Sequence, residues 1–357
     1  MLPAVVAALG PPGWSAAIEL PAAPSYVVFL IDGLGWYLLR RHRDVAPYLN
    51  SLADAASPIT CGVPSTTATS LTSLGTGLAP GQHGVVGFTS RIPGTDTLLD
   101  ALRWHPPVDP RQWQPHETVF GRARASGIAA TTVSRRAFRG SGLTVASQRG
   151  AEYVGADTPG ERISATVHAS SSPESVVYVY EGELDATGHA RGCRSWAWEH
   201  QLGVVDSFAQ RLREALSAQT ALVVTADHGM VDVGPDDRLD VDEQVELLEG
   251  VRLVGGEARF RHVYCAAGAV DDVRAAWAES LGDRALVLSR EDAVARGWFG
   301  EVDPAVRPRL GDVVAASLGT HAVVSTSRFE HEAKLVGFHG SLTADEMLVP
   351  LLVDHPG

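Results

Sequence analysis

The chain has 357 residues, 45% of them hydrophobic and 20% charged, with a formal net charge of −13. That length suits about two domains or one large α/β core with an insertion, and the composition excludes a disordered chain. The acidity repels nucleic-acid polymers and anionic membranes as a whole, so a phosphate-bearing substrate needs local positive charge from basic side chains or metal ions.

Residues 2–9 (LPAVVAAL) form an apolar run with no basic residue before it, and Gly10-Pro11-Pro12-Gly13 ends it. A short surface helix packed on the core is expected there rather than a signal peptide. No window approaches ~20 uninterrupted apolar residues, so no membrane span is expected and the cytoplasm is the default location. Cys61, Cys193 and Cys265 cannot all pair within one chain, which fits a reducing compartment.

Tyr26–Ile31 (YVVFLI) is continuously apolar and predicts a buried parallel strand. Asp32-Gly33 follows at its carboxyl end, where open α/β sheets bind ligands, although Asp-Gly also forms ordinary turns. Pro64-Ser65-Thr66-Thr67 opens a helix expected over 67–75, since proline and hydroxyls mark a helix N-terminus. A hydroxyl at the positive end of a helix is a candidate nucleophile; three are available, and their chemistry alone does not choose among them. Residues 88–115, rich in Pro, Trp and Arg, read as a long excursion, and a helix is expected over 117–127, ending at Gly127.

Ser175–Tyr180 predicts a second buried strand, followed by Asp185-Ala-Thr-Gly-His189. An acid and a histidine four residues apart, separated by a glycine, reach one cation from a turn, and their oxygen and nitrogen donors suit zinc or manganese. A helix is expected over 195–217, with Trp196, Val204, Val205, Phe208, Leu212 and Leu216 at helical spacing. Ala221–Thr225 is a third strand, with Asp227-His228-Gly229 at its end. Residues 233–330, acidic at first and then mixed, read as an inserted subdomain, leaving 1–232 and 331–357 as the core. Gly337-Phe338-His339-Gly340-Ser341 precedes a fourth strand at 347–353, and the flanking glycines expose His339.

Strands alternating with helices predict a three-layer α/β/α sandwich around a largely parallel sheet. Each of the four motifs alone is compatible with a turn or a solvated histidine. Together they place Asp32, Asp185, His189, Asp227, His228 and His339 beside strand ends. Six ligands suit two divalent ions with open positions, and two-metal sites serve phosphoryl transfer.

The order of these motifs resembles the alkaline phosphatase superfamily, and its type I phosphodiesterase/nucleotide pyrophosphatase branch most of all. The matching segments are FLIDGLG at 29–35, PSTTATSLTSLGTGLAPGQHGVVG at 64–87, DATGHARG at 185–192, TADHG at 225–229 and FHGS at 338–341. The resemblance implies an alkaline-phosphatase-like fold. It implies Thr67, nine positions before the threonine of Thr76-Gly77, as the nucleophile, with Thr66 as the fallback. It also divides the ligands, with Asp32, Asp227, His228 and the Thr67 oxygen on one metal and Asp185, His189 and His339 on the other. The activity implied is hydrolysis of phosphodiester or pyrophosphate bonds through a phosphothreonine-type intermediate, with two divalent ions (Zn²⁺, or Mn²⁺ in its place) and a small phosphate ester or nucleotide as substrate. A phosphomonoesterase or phosphonate hydrolase on the same site, and a catalytically silent nucleotide-binding protein, are the alternatives.

Two departures from the branch stand out. Ala68-Thr69-Ser70-Leu71 follows Thr67 where the branch has Phe-Pro-Asn-His, and Phe88 takes the place of an asparagine that binds the phosphoryl oxygen, leaving Thr89 or Ser90 as substitutes. A sulfatase is disfavoured, because Cys61-Gly62-Val63-Pro64-Ser65 lacks the Cys-x-Pro-x-Arg pattern. His83 reads as a turn residue, and histidines such as His262 and His331 read as surface or packing residues. Arg135, Arg136 and Arg139 are a minor candidate for phosphate contacts.

Overall fold

Strands that are apolar along their whole length need cover on both faces. In the computed structural model, which describes residues 1–15, 17–106 and 108–355, helices cover both sides of one six-stranded sheet. In chain order the strands of the two larger sheets are β1 (Ser25–Ile31), β2 (Ala129–Ser134), β3 (Glu152–Gly155), β4 (Ser175–Glu181), β5 (Thr220–Thr225), β6 (Val251–Glu257), β7 (Phe260–Cys265), β8 (Ala285–Ser289), β9 (Val313–Ser317) and β10 (Leu351–Asp354). The helices used below are α1 (Leu2–Ala8), α2 (Thr67–Thr76), α3 (Val119–Ala125), α4 (Gly142–Gln148), α5 (Pro159–Ser170), α6 (Glu183–Arg191), α7 (Trp196–Ala215) and α8 (Val270–Leu281).

The central sheet runs β10-β5-β1-β4-β2-β3. β1 is parallel to both neighbours, with Ser25 opposite Ser175 on one side and Thr220 on the other. Alternate residues of β1 enter different cores. Val27, Phe29 and Ile31 pack with Trp198, Leu202, Val205, Phe208 and Leu212 of α7. Tyr26, Val28 and Leu30 pack with α1, α2, α3 and α4 through Leu2, Val5, Ala68, Leu71, Phe120 and Ala146. This is the three-layer α/β/α sandwich that the alternating elements imply.

Several local expectations need correction. The apolar face of α7 is set by Trp198 and Leu202, while Trp196 and Val204 are exposed; 196 and 204 lie off the stripe that Val205, Phe208 and Leu212 define. The segment 347–353 is not one strand, nor parallel. Pro350 has no N–H and breaks it. Leu348–Val349 pairs with Ile59–Thr60, and β10 runs antiparallel to β5. Asp185 and His189 sit on a helix, α6, rather than a turn. Gly188 serves close packing there, since a Cβ at that position would lie 2.4 Å from the Met230 sulfur.

The second sheet is antiparallel, in the order β6-β7-β9-β8, with all its strands between residues 251 and 317. It has its own core, in which Val254, Val263 and Val313 pack against Val273, Trp277 and Leu281 of α8. A short parallel pair, Arg238–Asp240 with Ala322–Val324, lies beside its entry and exit. The tip of the β6–β7 hairpin reaches back to the segment after α2, where Phe88 N–H donates to Glu257 Oε2 at 2.8 Å. Among the described residues no helix is long and apolar enough to cross a membrane.

Candidate active site

The carboxyl ends of β1, β4 and β5 lie side by side, so the residues just past them converge. Asp32 follows β1, Asp185 stands in the first turn of α6 after β4, and Asp227-His228 follows β5. α2 begins beside them with Thr67 as its first residue. All seven residues expected from the sequence at the site come together here.

The first group is almost wholly enclosed. Asp32, Asp227 and His228 are buried, and one atom from each lies within 4.8 Å of the others. His228 Nδ1 lies 2.9 Å from Gly229 O, which can only accept, so in the neutral ring Nδ1 carries the proton and Nε2 is a bare acceptor. That Nε2 lies 3.4 Å from Asp32 Oδ1, 3.5 Å from Asp227 Oδ2 and 3.1 Å from Thr67 Oγ1. Asp227 Oδ1 accepts from the N–H groups of Gly33 and His228, at 3.2 and 3.0 Å. The Tyr180 hydroxyl donates to Asp32 Oδ2. Asp32 Oδ1 and Asp227 Oδ2 are buried with no hydrogen-bond partner.

The second group is half-buried and more open to the cavity. His189 Nδ1 is 2.8 Å from Gly337 O, and His339 Nδ1 is 2.9 Å from Ser65 O. Both neutral rings therefore present bare Nε2 atoms, and these face each other at 3.2 Å. Two lone pairs at that distance repel unless a proton or a cation lies between them. Two nitrogens bound to a tetrahedral zinc at ~2.0–2.1 Å are separated by about 3.3 Å, so the spacing fits a metal. Asp185 Oδ2 is 3.4 Å from His189 Nε2, and Asp185 Oδ1 is a further buried oxygen without a partner. Asp185 and His339 also form a three-membered cluster with His228, whose ring stacks on His339 at 3.6 Å between centroids. The two groups thus adjoin, with His228 at their boundary.

Electrostatics point the same way. Burial, then the charges of Asp227 and Asp185, hold the Asp32 carboxyl well above the usual range, and burial raises Asp227. Burial, followed by neighbouring His228 and His189, holds His339 well below the usual histidine range. Carboxylates crowded in this way, beside neutral imidazoles with unshared lone pairs, fit divalent cations as countercharge.

Two cavities flank Thr67. One, of about 270 Å³, is lined by Thr66, Thr67, Asp185, His189 and His339 together with Phe88, Leu102, Glu257, His331 and Phe338. The other, of about 240 Å³, also touches Thr67, Asp185 and Leu102 and is walled by Leu71, Phe138, Leu143, Gln148 and Tyr180. Phe88 and His331 meet edge to face at 5.7 Å. His331 is therefore part of a cavity wall, not only a packing residue, and Glu257 joins the same wall unforeseen. Neither has a local motif to announce it, because both reach the site through tertiary contacts.

Other expectations resolve differently. Thr89 and Ser90 do not line either cavity, and the Thr89 hydroxyl donates to Gly256 O at 2.8 Å. Arg135 pairs with Glu183, and Arg136 with Asp157 and Glu161. Arg139 lies over the Tyr153 ring. His83 is buried, with Nε2 2.8 Å from Ser73 Oγ and Nδ1 accepting from Val85 N–H, so it fixes the turn after α2.

Comparison with known proteins places this fold among known ones. Murine ectonucleotide pyrophosphatase/phosphodiesterase 5, as an inactive Thr→Ala variant in complex with AMP, superposes with a TM-score of 0.76 at 17% identity, covering 93% of this chain and 88% of that one. The same murine protein without that description gives 0.73 at 18% identity, with 92% and 87% covered. The human protein gives 0.74 at 18%, with 93% and 88% covered. At such identities the likeness establishes the fold. No curated protein matches the chain. The type I phosphodiesterase/nucleotide pyrophosphatase family matches residues 26–342, nearly the whole length; the chain belongs to that family and is a metal-dependent hydrolase of the phosphodiesterase type.

Proposed function

We propose that the chain hydrolyses phosphodiester or pyrophosphate bonds of a small nucleotide-like substrate, with Thr67 as nucleophile at a site for two divalent cations. Asp32, Asp227, His228 and the Thr67 oxygen would hold one cation, and Asp185, His189 and His339 the other. The mixed oxygen and nitrogen donors favour zinc, with manganese next. When bound, such ions supply Lewis-acid stabilisation of phosphoryl oxygens and make a hydroxyl nucleophile accessible near neutral pH.

The observation that carries this reading is the position of Thr67. Its hydroxyl lies 3.1 Å from His228 Nε2 and on the wall of the cavity that also exposes Asp185, His189 and His339. It therefore stands between the two ligand groups. As first residue of a ten-residue helix, it also presents a phosphoryl group to unpaired backbone N–H groups and the positive helix end. Thr67 Oγ forms a bond to phosphorus while the bond to the leaving oxygen breaks on the opposite side, and water then cleaves the phosphothreonine ester.

Two cavities meeting at Thr67 suit a phosphorus with two organic arms. The Phe88–His331 lobe offers edges and faces for a flat aromatic group, and the Leu71–Phe138–Leu143 lobe takes the second arm. AMP in the murine relative and the loss of activity on replacing a threonine there support both a nucleotide arm and a threonine nucleophile.

The test is steady-state hydrolysis of a chromogenic phosphodiester and the matching monoester by zinc-loaded and chelated protein, with Thr67→Ala alongside. The expected result is zinc-dependent turnover favouring the diester, abolished in Thr67→Ala while zinc stays bound. Preference for the monoester would reassign the protein as a phosphatase. Unchanged turnover in Thr67→Ala would move the nucleophile elsewhere.

A further inference from the structure

Glu257 is buried at the tip of the β6–β7 hairpin, only 7% exposed. Its Oε2 accepts the Phe88 N–H at 2.8 Å, but its Oε1 is buried without any hydrogen-bond partner. Buried polar atoms are ordinarily paired, so this one needs an explanation. The surroundings make room for the carboxyl. A Cβ at Gly340, the residue after His339, would lie 2.5 Å from Glu257 Cγ, and one at Gly87 would lie 3.6 Å from Oε1. The loop of His339 yields to this one side chain, while a Cβ at Gly87 would meet it only at ordinary contact distance. Glu257 also lines the cavity that holds Thr66, Thr67 and His339.

We propose that Glu257 is a further catalytic residue of this hydrolase, whose Oε1–H donates a hydrogen bond to a non-bridging oxygen of the phosphate attacked by Thr67. This rests on the reading of Thr67 as nucleophile. Phe88 contributes a ring, its N–H is taken by Glu257, and the Thr89 hydroxyl is turned to Gly256 O. Inside the wall, Arg261 is engaged by Glu332.

A carboxyl donates only when protonated. Burial pushes Glu257 up to about 8, against the smaller opposing effects of the Phe88 N–H, the Thr66 hydroxyl and Arg261, with Glu332 raising it. Asp185, His189, His331 and His339 complete the titratable groups on the cavity wall, with Arg103 at its rim. A carboxyl kept neutral places a donor beside the phosphate without adding negative charge.

The experiment compares Glu257→Ala, Glu257→Gln and the double variant Glu257→Ala/Phe88→Asn with the native protein, all zinc-loaded. Diester turnover, its pH profile, bound zinc, melting temperature and affinity for inorganic phosphate by calorimetry are read together. Loss of one oxyanion donor predicts a fall of about 10²–10³-fold in kcat for Glu257→Ala with zinc retained. Phosphate affinity should fall by about tenfold or more, the scale of a hydrogen bond to a charged group. Glu257→Gln, whose amide still donates, should recover most of the loss and remove the decline in turnover as pH rises through the Glu257 pKa. The added asparagine should partly rescue Glu257→Ala. A purely structural role would instead lower the melting temperature of Glu257→Ala and leave phosphate affinity unmoved, overturning the proposal. Equal damage in Gln and Ala would overturn it too. If the native protein turns over neither ester, the hydrolase reading itself fails, and phosphate affinity still decides the role of Glu257: undiminished binding by Glu257→Ala refutes it.

Discussion

Two clusters of buried charge beside the site are satisfied in opposite ways. At the carboxyl ends of the parallel sheet, Asp32, Asp185 and Asp227 each keep a buried oxygen without a hydrogen-bond partner. At the tip of the β6–β7 hairpin, Arg259 and Glu346 are fully buried and satisfy each other through a bidentate pair at 2.7 and 2.8 Å. Ser341 N–H and the Thr343 hydroxyl occupy further positions on that carboxylate. Charge closed on itself holds architecture together; charge left open awaits something from outside. The Arg259–Glu346 pair also serves the open group, since Glu346 accepts from Ser341 N–H two residues beyond His339, and its carbonyl accepts from Gly229 N–H at 2.7 Å.

The contrast is broken most forcefully at the open end. Asp32→Asn replaces the unpartnered Oδ1 and leaves Oδ2 to accept from Tyr180, so folding should hold or improve. Turnover should drop by ~10³-fold or more, as when one member of a unit is removed, together with loss of about half the bound zinc. Assay of zinc content, melting and diester hydrolysis on one preparation checks this. A variant that loses stability but keeps activity would make Asp32 a structural residue.

The closed end should answer in the reverse sense. Glu346→Gln leaves the Arg259 guanidinium buried without a countercharge, and breaking such a pair costs about 3–5 kcal/mol. Denaturant unfolding should show that loss, with turnover reduced far less than in Asp32→Asn. Near-native stability in this variant would mean that the pair is not closed in solution.

Titration distinguishes the two kinds of burial further. Burial raises Glu257 and Glu181, each to about 8, above the ordinary glutamate value near ~4.3. Between those limits the folded chain binds more protons than the unfolded one, so stability falls as pH rises from about 4.3 through 8. His83 and His262 are depressed by burial to about 3 and about 4. They act in the other direction, removing stability as pH falls below the ordinary histidine value of ~6.5. Above pH ~6.5 the raised acids dominate this balance, opposed by the Met1 amino group that burial lowers, so the melting temperature of chelated protein should decline towards pH 8. Zinc should widen its advantage over that interval, because ligand carboxylates shed their protons to bind it. Parallel melting curves of chelated and loaded protein would contradict this.

Much of the open end was readable in the chain itself. Asp32-Gly33, Asp185-x-x-x-His189 and Asp227-His228-Gly229 are short motifs attached to apolar strands, so local pattern and strand-end position together locate them. The carriers were less legible. Gly188 suggested a turn, yet it sits in α6 to let the helix approach Met230. β2, with sequence Ala129-Ala-Thr-Thr-Val-Ser134, is too polar to stand out, and its burial comes from β3 and β4 on either side. Glu257 lies 28 residues beyond Gly229 and His331 six before Gly337, each in a segment with no motif of its own, and only the docking of the β6–β7 hairpin and the loop after Val324 brings them to Thr67. Pattern along the chain reports a residue's own element, not the element that packs against it.

The smallest expected effect concerns the arginines that the sequence offers for phosphate contacts. Arg136 makes two ion pairs, with Asp157 and Glu161, but its side chain is 55% exposed. Solvent and salt screen such pairs, and holding a long side chain in place costs entropy that cancels much of the attraction. Arg135, at 43% exposure, is bound to Glu183 rather than turned to either cavity. Alanine at each position should therefore leave diester kcat/KM within about twofold and barely move the melting temperature, as screened surface pairs contribute little. A large rise in KM in either variant, with the fold intact, would show that the arginine leaves its carboxylate to meet the substrate phosphate. The site would then carry positive charge from the protein as well as from its metals, and these arginines would belong with the open charge rather than the closed.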